Sequence, residues 1–251
     1  GFPWCVGIES GGATGWAATD WMEEYVLRYG GEAQYTAWWK GKLPWSSPTV
    51  QKAAKKFSDV ALTRGNVNGG GKAIAATNFG TTAALFAKDK SKCFMMRQGS
   101  FITDFFPDAI KAEYKANNFT NVGVFKLPAP AGTTDAVLGG GDLAAAFDDK
   151  AATQKVMNFI LSDKLGQGAM LKTYPSYLSA HKTFPSAGYT NPITKNIAGI
   201  LSSAKLFGFD GSDLAPAVVN ATQWKELTNW ISGKKTQKQA FAAIDASWNK
   251  A

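Results

Sequence analysis

Cys93-Phe-Met-Met-Arg97 and Val122-Gly-Val-Phe-Lys-Leu127 flank a stretch from Phe101 to Lys115, and these 35 residues decide the fold class. The first and last runs are short and apolar, as strands are, and the second is stopped by Pro128 and Pro130, which cannot donate to a ladder. The segment between them has helical spacing, so the order is strand, helix, strand. Nothing between the runs has the Asn-Gly or Asp-Gly signature of a hairpin, and alternation without hairpins predicts an α/β protein.

The pattern extends in both directions. Downstream, Ala136-Val-Leu138 leads into Gly139-Gly-Gly-Asp142, then a predicted strand over Leu143–Phe147 and a helix carrying Val156, Phe159 and Ile160. Upstream, Val6-Gly-Ile-Glu9 is an extended run. The loop from Ser10 to Gly15, with Ser10 or Thr14 as cap, opens a helix whose apolar positions Trp21, Tyr25, Val26 and Tyr29 end at Gly30-Gly31. Ser47-Pro48 predicts an N-cap and first turn, followed by a buried stripe of Val50, Ala54, Phe57 and Ala61 that stops near Arg64-Gly65. Asn66–Lys72 is expected to be a loop and Phe79–Ala87 a short helix. The last third is helical: Pro192–Ala204, Val218–Ile231, and a helix opened by the capping box Thr236-Gln-Lys-Gln239 that buries Phe241, Ile244 and Trp248.

Composition narrows the function. The chain has 251 residues, 45% of them hydrophobic and 18% charged, which excludes disorder. No apolar run is long enough for a membrane span. The net charge of +8 is carried by Lys, with Arg only at positions 28, 64 and 97, so nucleic-acid readout by Arg forks is not expected. Nine Trp, several beside Gly, Asp or Asn, suit a site that stacks on a ligand. Cys5 and Cys93 fit no CxxC or zinc spacing and leave one disulfide or two buried thiols open. The chain opens at Gly1 without an initiator Met or a leader, and it is expected to be a fragment or a processed piece.

Catalytic and metal motifs largely fail. Gly69-Gly-Gly-Lys72 has Asn66 where a phosphate loop needs its first Gly and Ala73 in place of its Ser or Thr. His181 is the one His, and no GxSxG elbow accompanies it. One His and two distant Cys make no transition-metal site, and Asp210-Gly-Ser-Asp213 lacks the remaining ligands of a calcium loop. Glu9 with Asp20 or Glu23 offers the two carboxylates of a glycoside hydrolase or transglycosylase. The same residues also read as a sugar site, since Trp16 and Asp20 stand four apart on one helix face. An indole covers the apolar face of a sugar while a carboxylate accepts from its hydroxyls.

Five segments carry a family resemblance. Pro3-Trp-Cys-Val-Gly-Ile-Glu-Ser-Gly-Gly-Ala-Thr-Gly-Trp16-Ala-Ala-Thr-Asp20-Trp21 resembles the opening of the C-terminal lobe in extracellular solute-binding proteins of carbohydrate ABC importers, above all the α-glucoside-binding branch. Lys92–Phe101, the run from Leu127-Pro-Ala-Pro130 to Asp142, Val156–Ser162 and Trp230–Trp248 match that branch in order. The resemblance implies a periplasmic-binding-protein-like fold of type II, two-lobed, represented here mostly by its C-terminal lobe. Residues 1–135 and 182–251 would form that lobe, and 136–181 would join a mostly missing N-terminal lobe, leaving Val156, Phe159 and Ile160 uncovered.

The resemblance also assigns a site. Trp16 and Phe101 become stacking rings, Asp20 and Asp142 hydroxyl acceptors, Glu9 and Arg97 polar neighbours, Gly140 a point of close backbone approach, and Trp224 a further cleft aromatic. It implies an extracytoplasmic protein, in the periplasm or on a Gram-positive surface, where a Cys5–Cys93 disulfide would persist. The expected partners are an oligosaccharide, an α-glucoside first, and the membrane permease of the importer. The protein is expected to be a monomer, without cofactor and without enzymatic activity. The alternative is hydrolysis by Glu9 and Asp20.

Overall fold

In a computed structural model of the chain, the described residues are 1–86, 92–116 and 122–250. They divide into two compact units, one of residues 1–99, 127–139 and 204 onward, the other of residues 100–126 and 140–203. Division by compactness thus puts 100–126 and 182–203 beside 140–181.

The first unit is built around a long helix. Strand β1 (Phe2–Trp4) pairs in parallel with β2 (Cys93–Met95), with Phe2 opposite Cys93 and Trp4 opposite Met95. Helix α1 (Trp16–Trp39) follows the first strand and breaks at Gly31, where φ is 64° and ψ −172°. The helix end expected at Gly30-Gly31 is therefore a kink, and the chain resumes helical geometry to Trp39. Helix α2 (Pro48–Phe57) starts as its sequence dictates, with Ser47 as N-cap and Pro48 in the first turn, and continues through a π-turn over Ser58–Leu62. Helix α3 (Gly70–Ala76) occupies part of the segment expected as loop, because Ile74 is drawn fully into the core. Helix α4 (Phe79–Phe86) lies where a short helix was expected, and Ala87 lies outside the described residues.

The unit closes with its C-terminal third. Strands β3 (Ala136–Gly139) and β4 (Leu206–Phe209) form a second parallel pair, in register from Ala136 opposite Leu206 to Gly139 opposite Phe209. Helices α9 (Ala217–Ile231) and α10 (Gln237–Ser247) pack on each other, and α9 also packs on α1. Thr236 and Gln239 make both bonds of the capping box. Aromatic rings run through the core from Trp21 to Phe57, Trp230, Phe241, Trp45 and Trp38, with successive centroids 4.9–6.0 Å apart. Each such ring, removed from water, contributes about 2–3 kcal/mol.

The second unit has less to bury. The stretch expected as one helix from Phe101 to Lys115 is split at Pro107 into a 3-10 helix (Ser100–Phe105) and α5 (Asp108–Lys115), since proline has no N–H for a helix interior. Helices α6 (Ala151–Ile160), α7 (Ala169–Thr173) and α8 (Pro192–Ser202, capped by Asn191) complete it. Val122–Leu127 and Leu143–Phe147, expected as strands, are not strands here, and Val6–Glu9 makes one isolated parallel bridge, from Glu9 to Asn78. The whole is mixed α/β and rich in helix.

Candidate ligand-binding site

The loop into α1 is shaped by backbone bonds that sequence periodicity cannot reveal. Glu9 donates its N–H to the Thr77 carbonyl (3.0 Å), and its own carbonyl accepts from Phe79 N–H (3.1 Å). The Thr14 hydroxyl accepts from Ser10 N–H (3.0 Å) and donates to the Gly11 carbonyl (2.7 Å), so it stitches the loop instead of capping the helix. The N-cap is Gly15, in the left-handed region at φ 115°. No side chain fits there, because a Cβ would stand 2.2 Å from the Trp224 carbonyl oxygen on α9. This close approach fixes α9 against the mouth of α1.

Trp16, half-buried, is the first helical residue, and its ring meets Phe79 edge-on with centroids 5.1 Å apart. Beside it the Glu9 carboxylate accepts from Gly11 N–H (2.6 Å) and from the Asn78 amide (2.8 Å). Those two donors hold its carboxyl below the ordinary glutamate value. Trp224 is half-buried, and its indole N–H is enclosed without a protein acceptor. The Trp16 and Phe79 rings, the fixed Glu9 carboxylate and the Asn78 amide thus gather at one helix end.

One turn further in, the charges form a chain. Arg97 donates to Asp20 (2.9 Å) and to Glu24 (3.2 Å), and Glu24 in turn accepts from Arg28 (2.7 Å). The Arg97 guanidinium lies 5.9 Å from the Trp21 ring centroid, a cation–π contact. Burial works against the charge of Arg97, yet Asp20 and Glu24 raise its pKa. Burial pushes Asp20 up to about 6, with Asp210 and Asp213 adding to the rise and Arg97 opposing it. The Asp20 side chain keeps 14% of its surface in water, so this is a carboxylate at the floor of the mouth, already answering one cation.

The site residues named from sequence fall in both units. Glu9, Trp16, Asp20, Arg97 and Trp224 belong to the first, where α9 packs on α1, Trp16 meets Phe79 of α4 and Arg97 pairs with Asp20. Phe101, Gly140 and Asp142 belong to the second. Phe101 is 40% exposed and meets Phe105 edge-on, while Gly140 and Asp142 are exposed. Cys5 and Cys93 are joined, with Sγ atoms 1.99 Å apart, on segments that β1–β2 pairing brings together. Sequence reasoning did not find Asn78, Phe79 or Glu24. Asn78 and Phe79 head a short helix and Glu24 is an ordinary helical acid, so only the tertiary contact marks them. Among the described residues, Asp20, Glu23 and Asp210 have carboxylate oxygens within 4.8 Å of one another. Asp20 already answers Arg97, and both Glu23 oxygens are taken up by hydrogen bonds described below, so the grouping by itself assigns no metal.

No protein-family model matches the chain. It is 33% identical over 248 residues to the alpha-glucosides-binding periplasmic protein AglE of Rhizobium meliloti, covering 98% of this chain and 53% of that protein. It is 32% identical, over 98% of this chain and 56% of the relative, to the osmoprotective compounds-binding protein GgtB of Synechocystis sp.. A solved chitin oligosaccharide binding protein shares the fold, with a TM-score of 0.74 at 18% identity over 99% of this chain and 60% of that one. The chain spans about half the length of the curated relatives it matches, and along almost all of its own length it is similar to these two binding proteins.

Proposed function

We propose that the chain is part of the substrate-binding protein of a carbohydrate ABC importer, working outside the cytoplasm and handing its sugar to a membrane permease. The reading extends to the type II two-lobed architecture, with residues 1–135 and 182–251 on one lobe and 136–181 on the other, and to a monomer that captures its ligand by lobe closure. The ligand is an α-glucoside, a choice supported by the homology to AglE over nearly the whole chain. The observation that carries the proposal is the half-buried Trp16 at the mouth of α1, in ring contact with Phe79, with the Glu9 carboxylate held by Asn78 in the preceding loop and Asp20 one helical turn on. A ring supplies the apolar platform for a pyranose, and the acids accept from its hydroxyls. Phe101, Asp142 and Gly140 on the second unit are proposed to contribute the remaining ring, acceptor and backbone contact, and Trp224 a further aromatic wall.

The test is calorimetric titration with an α-linked glucose disaccharide. Saturable binding with recovery of unaltered sugar is expected, and Trp16→Ala should weaken it about tenfold or more, since tenfold corresponds to ~1.4 kcal/mol. Unchanged affinity in that variant removes the site assignment. Release of new reducing ends during the incubation would instead favour hydrolysis by Glu9 and Asp20.

A further inference from the structure

The Glu23 carboxyl, fully buried on α1, closes a circuit of hydrogen bonds whose protons can be counted. Its Oε2 accepts from Gly211 N–H (2.8 Å) and its Oε1 from Ser212 N–H (3.2 Å), which ties α1 to the turn after β4. The same Oε2 lies 3.1 Å from the hydroxyl of Tyr35, itself buried. That hydroxyl stands only 2.7 Å from the Phe209 carbonyl, and it also receives Gly211 N–H at 2.9 Å. A phenol has one proton to give, and the Phe209 carbonyl is the nearer acceptor. The contact between Glu23 and Tyr35 is then two oxygens facing each other unless Glu23 supplies the donor.

Charge leads to the same place. Asp20 and Asp210 have oxygens within 4.8 Å of a Glu23 oxygen, and Asp213 follows in the same turn. The nearby cation, Arg97, is spent on Asp20 and Glu24, and Glu24 also holds Arg28. On α9, Glu226 turns to Lys235 (2.6 Å) and Lys225 is exposed, and on α2 Lys52 and Lys55 are exposed and Lys56 is half-buried. Among the described residues, no cation on these elements forms an ion pair with Glu23. We infer that Glu23 is a neutral carboxylic acid that donates its proton to the Tyr35 hydroxyl, forming a latch that pins the Asp210–Asp213 turn to α1 and that alkali releases. Burial, followed by the charges of Asp210 and Asp20, raises its pKa well above the ordinary 4.5, in agreement.

The latch has a sign that can be measured. Between the ordinary glutamate value and the raised folded one, the folded chain holds a proton that the unfolded chain gives up, so stability falls as pH rises through that window and levels off above it. Over the part of the window above pH 6, the wild-type unfolding equilibrium constant should therefore carry a tenfold increase per pH unit that Glu23→Gln, permanently neutral and able to donate to Tyr35, lacks. Parallel profiles for the two proteins would overturn the inference. Infrared spectroscopy at neutral pH should show a carboxylic-acid C=O band that disappears in Glu23→Gln; its absence from the wild type would also overturn it. Should Glu23→Gln fail to fold, the wild-type band and its shift in Tyr35→Phe decide the matter. Stabilisation of the wild type by calcium, reversed by EDTA, would mean that a cation and not a proton balances the cluster.

Discussion

The two units use similar material to different effect. In the first, α1, α2, α9 and α10 turn their apolar stripes inward, and Trp21, Trp45, Phe57 and Phe241 are almost wholly out of water. In the second, α6 has an apolar face of Val156, Met157, Phe159 and Ile160, yet none of its residues is buried. Leu143 is 85% exposed and Phe147 99% exposed just before it. An open groove of about 450 Å³ runs between Ala144 and Ala145 on one side and Ala152, Val156 and Ile160 on the other. An amphipathic pattern specifies a helix locally, but it stabilises a fold only when a second layer covers it.

The sharpest way to break this contrast is a pair of truncations. Phe57→Ala in the first unit removes a ring that is fully buried between Trp21 and Trp230, and it should cost about 3–5 kcal/mol. Phe159→Ser on α6, half exposed, should change stability by no more than about 0.5 kcal/mol. Denaturant melts of both variants give the comparison directly. Equal losses would mean that the α6 face is covered in solution.

Next in size is the covalent tie of the first unit. The Cys5–Cys93 bond closes a loop of 88 residues. Replacing both cysteines by Ser should cost about 4.6 kcal/mol by the loop-closure argument, and dithiothreitol should lower the midpoint of the wild type but not of the double variant. A wild type that takes up two equivalents of a thiol reagent without reduction would show that the bond does not form.

How much was legible from sequence follows the range of the forces involved. Ser47-Pro48 and the box from Thr236 to Gln239 are local devices, and each sits at the helix start that its sequence predicts. The Trp16 and Asp20 pairing on one helix face was equally local. Strands were not, because a strand exists only with a paired strand: Val122–Leu127 and Leu143–Phe147 have the composition but pair with no strand among the described residues, whereas Phe2–Trp4 is a strand through Cys93–Met95. The same holds for charge. Glu24 lies on one helix face with Asp20 and Arg28, but that the cation shared by Asp20 and Glu24 is Arg97, 77 positions from Asp20, is decided by tertiary structure, in which Arg97 follows the strand β2 that pairs with β1. Glu23 looked like one half of a carboxylate pair, and its bonds go to Tyr35 and to the backbone at Gly211 and Ser212.

The smallest contrast sets a helix cap against its counterpart. In the first unit the Thr236 hydroxyl accepts from Gln239 N–H (3.3 Å) while the Gln239 side chain accepts from Thr236 N–H (3.0 Å), satisfying two donors at the start of α10. In the second, α6 opens at Lys150 with no side-chain cap, and Asp148 instead reaches Lys150 (2.8 Å) and Thr153 (2.5 Å) at the exposed surface. Thr236→Ala should cost about 1 kcal/mol, because α10 carries Phe241 and Ile244 into the core and fraying its first turn disturbs both. Asp148→Ala removes charge-assisted contacts that water replaces, ahead of a helix with no fully buried residue, so no measurable loss of stability is expected. Hydrogen exchange separates the two cases even where melting midpoints do not. Protection at the start of α10 should drop in Thr236→Ala, while amides at the start of α6 exchange fast in wild type and variant alike, since local opening there exposes no fully buried residue.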